Sequence, residues 1–479
     1  MGAELEQTTG SDPREQAQLR AALPAEVAAV MDALTTAGHR AWVTGPVARD
    51  AVHGVVAPAR SWAEIITDAP RVVQSEVLAR VAGRESMDDE RRLPSAWLPV
   101  PGVAEPRRVQ LATLRTTPPP WRWLRSRKLD GIALDLACRE ITIHAFAIDG
   151  DGTLVDPFGG VADLLARRIR TVLPADRVYC DSALMLLKVP RWVSHYDFAP
   201  SPELIRHAQR DAGNILDTPR ELWKELLDRV LLGPGVMAGL QVLYDTRVLQ
   251  FLMPEVASLV GFHESCPVHH KDIWDHTLKV VAKAERTLIV RWAALMHDIG
   301  KVWTRQVTKG GKVHFFRHEE FGALLFEGVA ARLKFDAETT ERVSYVIKNH
   351  ARVNLYEDNW TDSAVRRLMR DFEAHLDDLI AFSKADYTTK RTWREAELKR
   401  QMAELEARIA AIREADARVP PLPTGLGNDM MERFGLTPGR RIGELKRLLE
   451  AAVEAGELAP HQESGVYLDW LAGKIEERG

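Results

Sequence analysis

The chain has 479 residues, 46% of them hydrophobic, and a formal net charge of −4. That length accommodates three or four domains at roughly 150 residues each. The near-neutral balance excludes a global field as the basis of nucleic-acid binding, so any such contact must come from local patches.

Three cysteines, Cys138, Cys180 and Cys266, are far apart and odd in number. They give no disulfide framework and no zinc-finger pattern, which fits a reducing, cytoplasmic setting. The N-terminus MGAELEQTTGSDPREQ is acidic and polar, unlike a signal peptide, and no uncharged apolar run is long enough to suggest a membrane span.

In chain order, residues 1–20 read as a disordered tail and 23–38 as an amphipathic helix. AWVTGPVARD (41–50) reads as a buried strand, a turn at Gly45-Pro46 and a helix start. RSWAEIITDAP (60–70) and RRVQLATLR (107–115) read as two more strands. Residues 105–128 hold seven Lys/Arg and one acid. There Arg122, Arg125, Arg127 and Lys128 could track an RNA backbone while Trp121 and Trp123 stack on bases. The alternative is a solvated loop whose tryptophans pack on a neighbouring domain. Residues 171 to about 260 read as helical. So does 391–417, a single long helix with Leu398, Met402, Leu405, Ile409 and Ile412 at 3–4 spacing. This helix either links domains or presents a face to a nucleic acid or to a second copy. VPPLPTGLG (419–427) breaks it, and 428–478 is helical again.

The stretch RWAALMHDIGK (291–301) sets His297 beside Asp298, an imidazole and a carboxylate for one divalent ion. His276 lies 21 residues before His297 and His318 lies 21 after it, with His350 and Asp386 further on. His276 shares a helix face with Ile273 and Val280, so that face points inward, as either a ligand or a core histidine requires. Taken singly, each histidine is more often a core or surface residue; as a set they read as a metal centre. His263, His269, His270 and His314 have no place in the pattern.

The ordered segments HTL, HDIGK, FRHE, KNH and KAD resemble those of HD-domain metal phosphohydrolases. DPFGGVADL (156–164), CREITIHA (138–145) and the segment 423–458 resemble the class II tRNA nucleotidyltransferase (CCA-adding) and poly(A) polymerase family whose members carry an HD domain. The resemblance covers nearly the whole chain. It implies an α+β fold: a nucleotidyltransferase-like head with a mixed sheet (21–170), then all-α parts. These are a neck or RNA-binding domain (171–262), an HD domain (263–390), and a long helix with a C-terminal helical module (391–479).

The resemblance also locates the head's site and shows how it departs from the family pattern. The family's paired carboxylates fall on Trp62 and Glu64, and its third carboxylate falls on Gln110. The two glycines of its phosphate loop become Gly45-Pro46, where proline removes an N–H, followed by Arg49 and Asp50. Its nucleotide-reading motif becomes Cys180, Asp181 and Leu184. Its Arg-Arg-Asp motif keeps only Arg139, between Cys138 and Glu140. Gly45, Arg49, Asp50, Trp62, Glu64, Gln110, Arg139 and Asp181 therefore read as a degenerate nucleotidyltransferase site. In the HD domain the resemblance implies His276, His297, Asp298 and Asp386 as ligands of one metal. It gives His318 and His350 to a second ion or a phosphate, with Lys301 as a nearby point charge. Such mixed ligands suit Mn, Ni, Co, Mg or Fe.

These features lead to the expectation of a metal-dependent HD phosphohydrolase, a phosphodiesterase or phosphatase acting on tRNA 3′ ends or 2′,3′-cyclic phosphates. Its catalytic residues would be His297, Asp298 and Lys301. An active tRNA CCA- or poly(A)-adding nucleotidyltransferase with an unusual site, and a non-catalytic RNA-binding scaffold, are the other readings.

Overall fold

The computed structural model describes residues 12–55, 57–58, 61–88, 93–117, 129, 131–262, 272–309, 313–353, 355–387, 392–417 and 422–476. The RNA-binding candidates Arg122, Arg125, Arg127 and Lys128 lie outside them, as do His263, His269 and His270. The chain separates into two compact units, one of residues 1–355 and 375–395, the other of 356–374 and 396–479.

Within the first unit the head is built on a seven-stranded mixed sheet. Its strands are β1 (Ala41–Thr44), β2 (Ala63–Thr67), β3 (Met87–Asp88), β4 (Pro94–Leu98), β5 (Arg107–Thr113), β6 (Ala147–Asp149) and β7 (Leu154–Val155), in the order β3-β4-β5-β2-β1-β6-β7. Only β2 and β5 pair in parallel, and their register sets Glu64 beside Gln110. β1 and β2 are buried along their whole length, and apart from Glu64 and the terminal threonines their residues are apolar. The expected helix at 23–38 is Ala25–Thr36.

One difference falls in the tail. Pro13–Ala22 is a helix, although 1–20 reads as disordered. Asp12 caps it by accepting the Arg14 N–H, and Leu19 is buried. Within the basic stretch Arg107 is buried and belongs to the core. Its Nε donates to Glu26 (2.5 Å), and its Nη atoms donate to the carbonyls of Ala57, Pro58 and Ser61 at 2.6–2.9 Å. Removing one member of such a pair costs about 3–5 kcal/mol, so this arginine serves the fold.

The DPFGG turn locks the head's last elements together. The Asp156 carboxylate accepts the N–H groups of Gly160 (2.7 Å) and Val161 (2.9 Å). Gly159 has φ +70°, and a Cβ on Gly160 would stand 2.0 Å from the Thr142 carbonyl oxygen. Asp163, fully buried, accepts from Thr142 Oγ1, Arg168 Nε and Arg170 Nε at 2.6–2.8 Å.

Helices then continue through the neck and the HD region. In the second unit, Met402, Leu405, Ile409 and Ile412 of the long helix Thr392–Ala417 are buried. The helices Leu426–Phe434, Arg440–Glu454 and Ser464–Glu476 close over a core that includes Met430, Leu449 and Tyr467.

Candidate functional site

Two clusters of chemistry-bearing residues lie in the first unit. In the head, β2 presents Glu64, which is buried against the sheet. The helix Gly131–Leu136 presents Asp135, also buried. Arg139 joins them: Nη1 donates to Glu64 Oε2 at 2.8 Å, and Nη2 lies 3.6 Å from Asp135 Oδ1. Arg115 approaches Asp135 from the end of β5, its backbone N–H donating at 3.4 Å. Burial pushes the Asp135 carboxyl above its ordinary range, an effect that Arg139 and Arg115 oppose and Glu64 reinforces. Asp135 was missed in the sequence because the search there followed motif positions, and no spacing rule links it to Glu64.

The other head residues take separate places. Gln110 is buried beside Glu64 on β5. Trp62 precedes β2 and is exposed. Gly45, at φ +71°, opens the helix Gly45–Val52 with Pro46 in its first turn, where a missing N–H costs nothing. Arg49 on that helix stacks over the Tyr196 ring (4.8 Å). The neighbouring Asp50 is pushed up by burial, against the pull of Arg49. Asp181 is exposed at the end of the helix Ala175–Asp181.

In the HD region the expected residues converge. His276 comes from the helix Ile273–Lys283, which Asp272 caps. His297 and Asp298 follow the helix Leu288–Met296, His318 opens the helix His318–Leu333, and His350 lies in Ala337–Val353. His276 Nε2 is 3.2 Å from His297 Nε2 and 3.2 Å from Asp386 Oδ1, and His297 Nε2 is 3.1 Å from Asp298 Oδ2. Two groups among the described residues could each hold a metal ion: His276 with His297 and Asp298, and Asp298 with His318 and His350.

The hydrogen bonds behind the rings support that role. His297, His318 and His350 each place Nδ1 at 2.7–3.0 Å from the carbonyl three residues earlier, those of Ala294, Phe315 and Ile347. A carbonyl only accepts, so Nδ1 carries a proton and Nε2 is the ring nitrogen left to bind an ion. Gly300 explains the glycine of the HDIGK stretch, because a Cβ there would stand 2.1 Å from the His318 carbonyl oxygen.

The charges are mutually supporting. Complete burial would raise Asp298, but His297 and Lys301 outweigh it and hold the carboxyl well below its ordinary range. Burial would lower His297, yet Asp298 prevails and raises it. Burial lowers His276 and pushes His350 down to about 4. Asp386 is lowered despite its burial, chiefly by its hydrogen bond to His276. Lys301 donates to Asp298 Oδ2 at 3.0 Å.

A mixed-sheet head with two buried carboxylates is followed by a helical region whose histidines and aspartates could hold a metal ion, the layout of an HD-containing nucleotidyltransferase-like protein. The HD domain family matches residues 273–416. The CC-adding tRNA nucleotidyltransferase of Thermus thermophilus is 31% identical over 355 residues, covering 71% of this chain and 78% of that protein. The A-adding tRNA nucleotidyltransferase of Deinococcus radiodurans is 29% identical over 347 residues, covering 70% and 78%. The multifunctional CCA protein of Pseudomonas fluorescens is 36% identical over 227 residues, and there the match spans 45% of this chain and 54% of the relative. Among solved structures, the Bacillus stearothermophilus CCA-adding enzyme in complex with CTP shares the fold, with a TM-score of 0.53 at 20% identity over 95% of this chain and 98% of that one. The chain belongs to the class II tRNA nucleotidyltransferase family.

The expectation of a phosphohydrolase, with His297, Asp298 and Lys301 as the main catalytic residues, is overturned by these relatives. The two that match over more than two thirds of this chain are named A-adding and CC-adding tRNA nucleotidyltransferases. The expectation treated the loss of anions at Trp62 and Gln110 as a loss of chemistry. Counting motif positions alone left one anion in the head, whereas the fold sets the buried Asp135 carboxylate beside the same guanidinium as Glu64.

No helix among the described residues is long and apolar enough to cross a membrane.

Proposed function

We propose that the chain adds nucleotides to the 3′ ends of tRNA and that the transfer takes place in its head. The observation that carries this reading is the convergence of buried Glu64 and Asp135 on Arg139. The relatives' names supply the reaction class.

Two carboxylates beside a neutral amide, Gln110, suit one hard divalent ion such as magnesium or manganese. Trp62 offers no anion for a second. An ion held by Glu64 and Asp135 would neutralise charge on the triphosphate where the 3′-hydroxyl oxygen of the RNA forms its bond to the α-phosphorus and pyrophosphate leaves. Arg115, whose exposed guanidinium lies 3.9 Å from Asp135, supplies a group that matches phosphate oxygens. Pro46 removes a backbone donor from the Gly45 turn, which shifts phosphate binding from backbone to side chains such as Arg49. Asp181, exposed at its helix end, offers an acceptor to an incoming base.

The HD domain complements the head as a metal-holding domain. His276, His297, Asp298 and Asp386 would surround one ion, and Asp298, His318 and His350 a second, with Lys301 fixing the shared carboxylate. Imidazole and carboxylate together suit Mn, Co, Ni or Fe.

The test supplies the protein with tRNA lacking its terminal CCA, magnesium and labelled CTP or ATP. Nucleotide addition is expected, and Asp135→Asn is expected to reduce it by about 100-fold, an effect the size of losing one transition-state charge contact. Unchanged incorporation by Asp135→Asn would remove this aspartate from the site.

A further inference from the structure

Beside the HD metal centre stands a short ribbon that neither the head nor the metal centre uses. Residues 301–317, KVWTRQVTKGGKVHFFR, contain five Lys/Arg and no Asp or Glu. The strands Arg305–Val307 and Val313–Phe315 pair antiparallel as a separate two-stranded sheet, with Gln306 opposite His314. Lys312 lies outside the described residues.

Two of its aromatic side chains are exposed. Trp303 is 49% exposed and Phe316 59% exposed, and His314 stacks on Phe316 with centroids 5.2 Å apart and planes 11° from parallel. Arg305 and Lys309 are exposed among them. The neighbouring acids are turned to other tasks: Glu320 pairs with Arg317, and Glu319 lies 3.2 Å from His318 Nδ1. The ribbon also joins the metal centre directly, since Lys301 sits over the Phe315 ring (5.6 Å) while donating to Asp298.

We propose that this ribbon binds single-stranded RNA. Bases stack on Trp303 and on the His314–Phe316 pair, while Arg305 and Lys309 follow the phosphates. Cations alternating with exposed planar rings are what a flexible polyanion with stacking faces requires. A protein-docking patch would instead be depleted of charge at its centre. The duplex part of an RNA offers no free base faces and gains little from the rings. This surface is distinct from the head, and its binding is read without nucleotide or turnover, so failure of either reading leaves the other testable.

The experiment uses the full chain and fluorescence anisotropy with a labelled RNA single strand of about 12 nucleotides, against a duplex of equal length. Trp303→Ala/Phe316→Ala is expected to weaken single-strand binding about tenfold or more and leave duplex binding within about twofold. Arg305→Gln/Lys309→Gln is expected to lower the salt dependence of log affinity by about one to two. These two side chains are exposed, so the charge variant carries the test should the aromatic variant unfold at a lower temperature. Equal single-strand affinity and equal salt dependence in wild type and variants would overturn the proposal and point to a protein as the occupant of the patch.

Discussion

Arg139 donates to Glu64 at 2.8 Å while its other Nη lies 3.6 Å from Asp135, so one guanidinium neutralises two buried carboxylates in the head. Replacing Arg139 with Gln strands Glu64 without its cation. The expected cost is about 2 kcal/mol, below the 3–5 of a fully buried pair because Arg139 keeps some solvent contact. Urea denaturation measures it. The double variant Glu64→Gln/Arg139→Gln should recover most of the loss, since both charges are then gone. A double variant as unstable as the sum of the singles would show that the pair is not coupled.

Gly300 permits an approach that no other residue allows, its missing Cβ falling 2.1 Å from the His318 carbonyl oxygen. Gly300→Ala should push the helix His318–Leu333 away and misplace His318. Manganese affinity, measured by calorimetry, should fall about tenfold or more. Gly328→Ala, on the same helix with nothing within 4 Å of its Cβ, should leave affinity unchanged and is the control. Equal effects from the two would detach the HDIGK glycine from the metal centre.

His297 has a raised proton affinity because Asp298 outweighs its burial, and a metal ligand must be deprotonated. Binding of a divalent ion near pH 7 should therefore release protons. Calorimetric titrations in buffers of different ionisation enthalpy read that release directly. Stripping the metal with a chelator should lower the unfolding temperature. Heat signals that do not depend on the buffer would contradict a protonated His297.

The pH dependence of stability follows from His350, pushed down to about 4 by burial. Its folded pKa lies below its unfolded value, so between about pH 6.5 and 4 the unfolded state binds more protons. Metal-free protein should thus lose stability as pH falls through that window, by up to about 3 kcal/mol from this group, and His276 acts in the same direction. His297 acts in the opposite sense, its contribution being full at low pH and lost as pH rises through its raised value. Denaturant midpoints from pH 7 to 4 should show a shallower slope in His350→Asn. An identical slope would place the proton uptake elsewhere.

The sequence carried the HD residues well because His276, His318 and His350 sit on helices, while His297, Asp298 and Asp386 lie just past helix ends. Chain order then brings His276, His297, Asp298, His318, His350 and Asp386 together. Strands β1 and β2 were legible because they are buried along their length and carry few polar residues besides Glu64. Strands β3, β6 and β7, two or three residues each, gave no such signal, being made by register with neighbours rather than by composition. Asp135 escaped because its partnership with Glu64 runs through Arg139 across a helix and a strand. Arg107 counts toward the basic run in the sequence, yet Glu26 and three carbonyls bury it in the fold.

The central claim is that the head transfers nucleotides and that the HD centre is not where this occurs. The measurement that tests it most directly is incorporation of labelled CTP and ATP into tRNA lacking its CCA end, compared across wild type, Glu64→Gln and His297→Ala/Asp298→Ala. Wild type should extend the RNA, Glu64→Gln should lose about 100-fold or more in rate, and the HD variant should retain most of it. No extension by the wild type, or extension lost in the HD variant and kept in Glu64→Gln, would contradict the account.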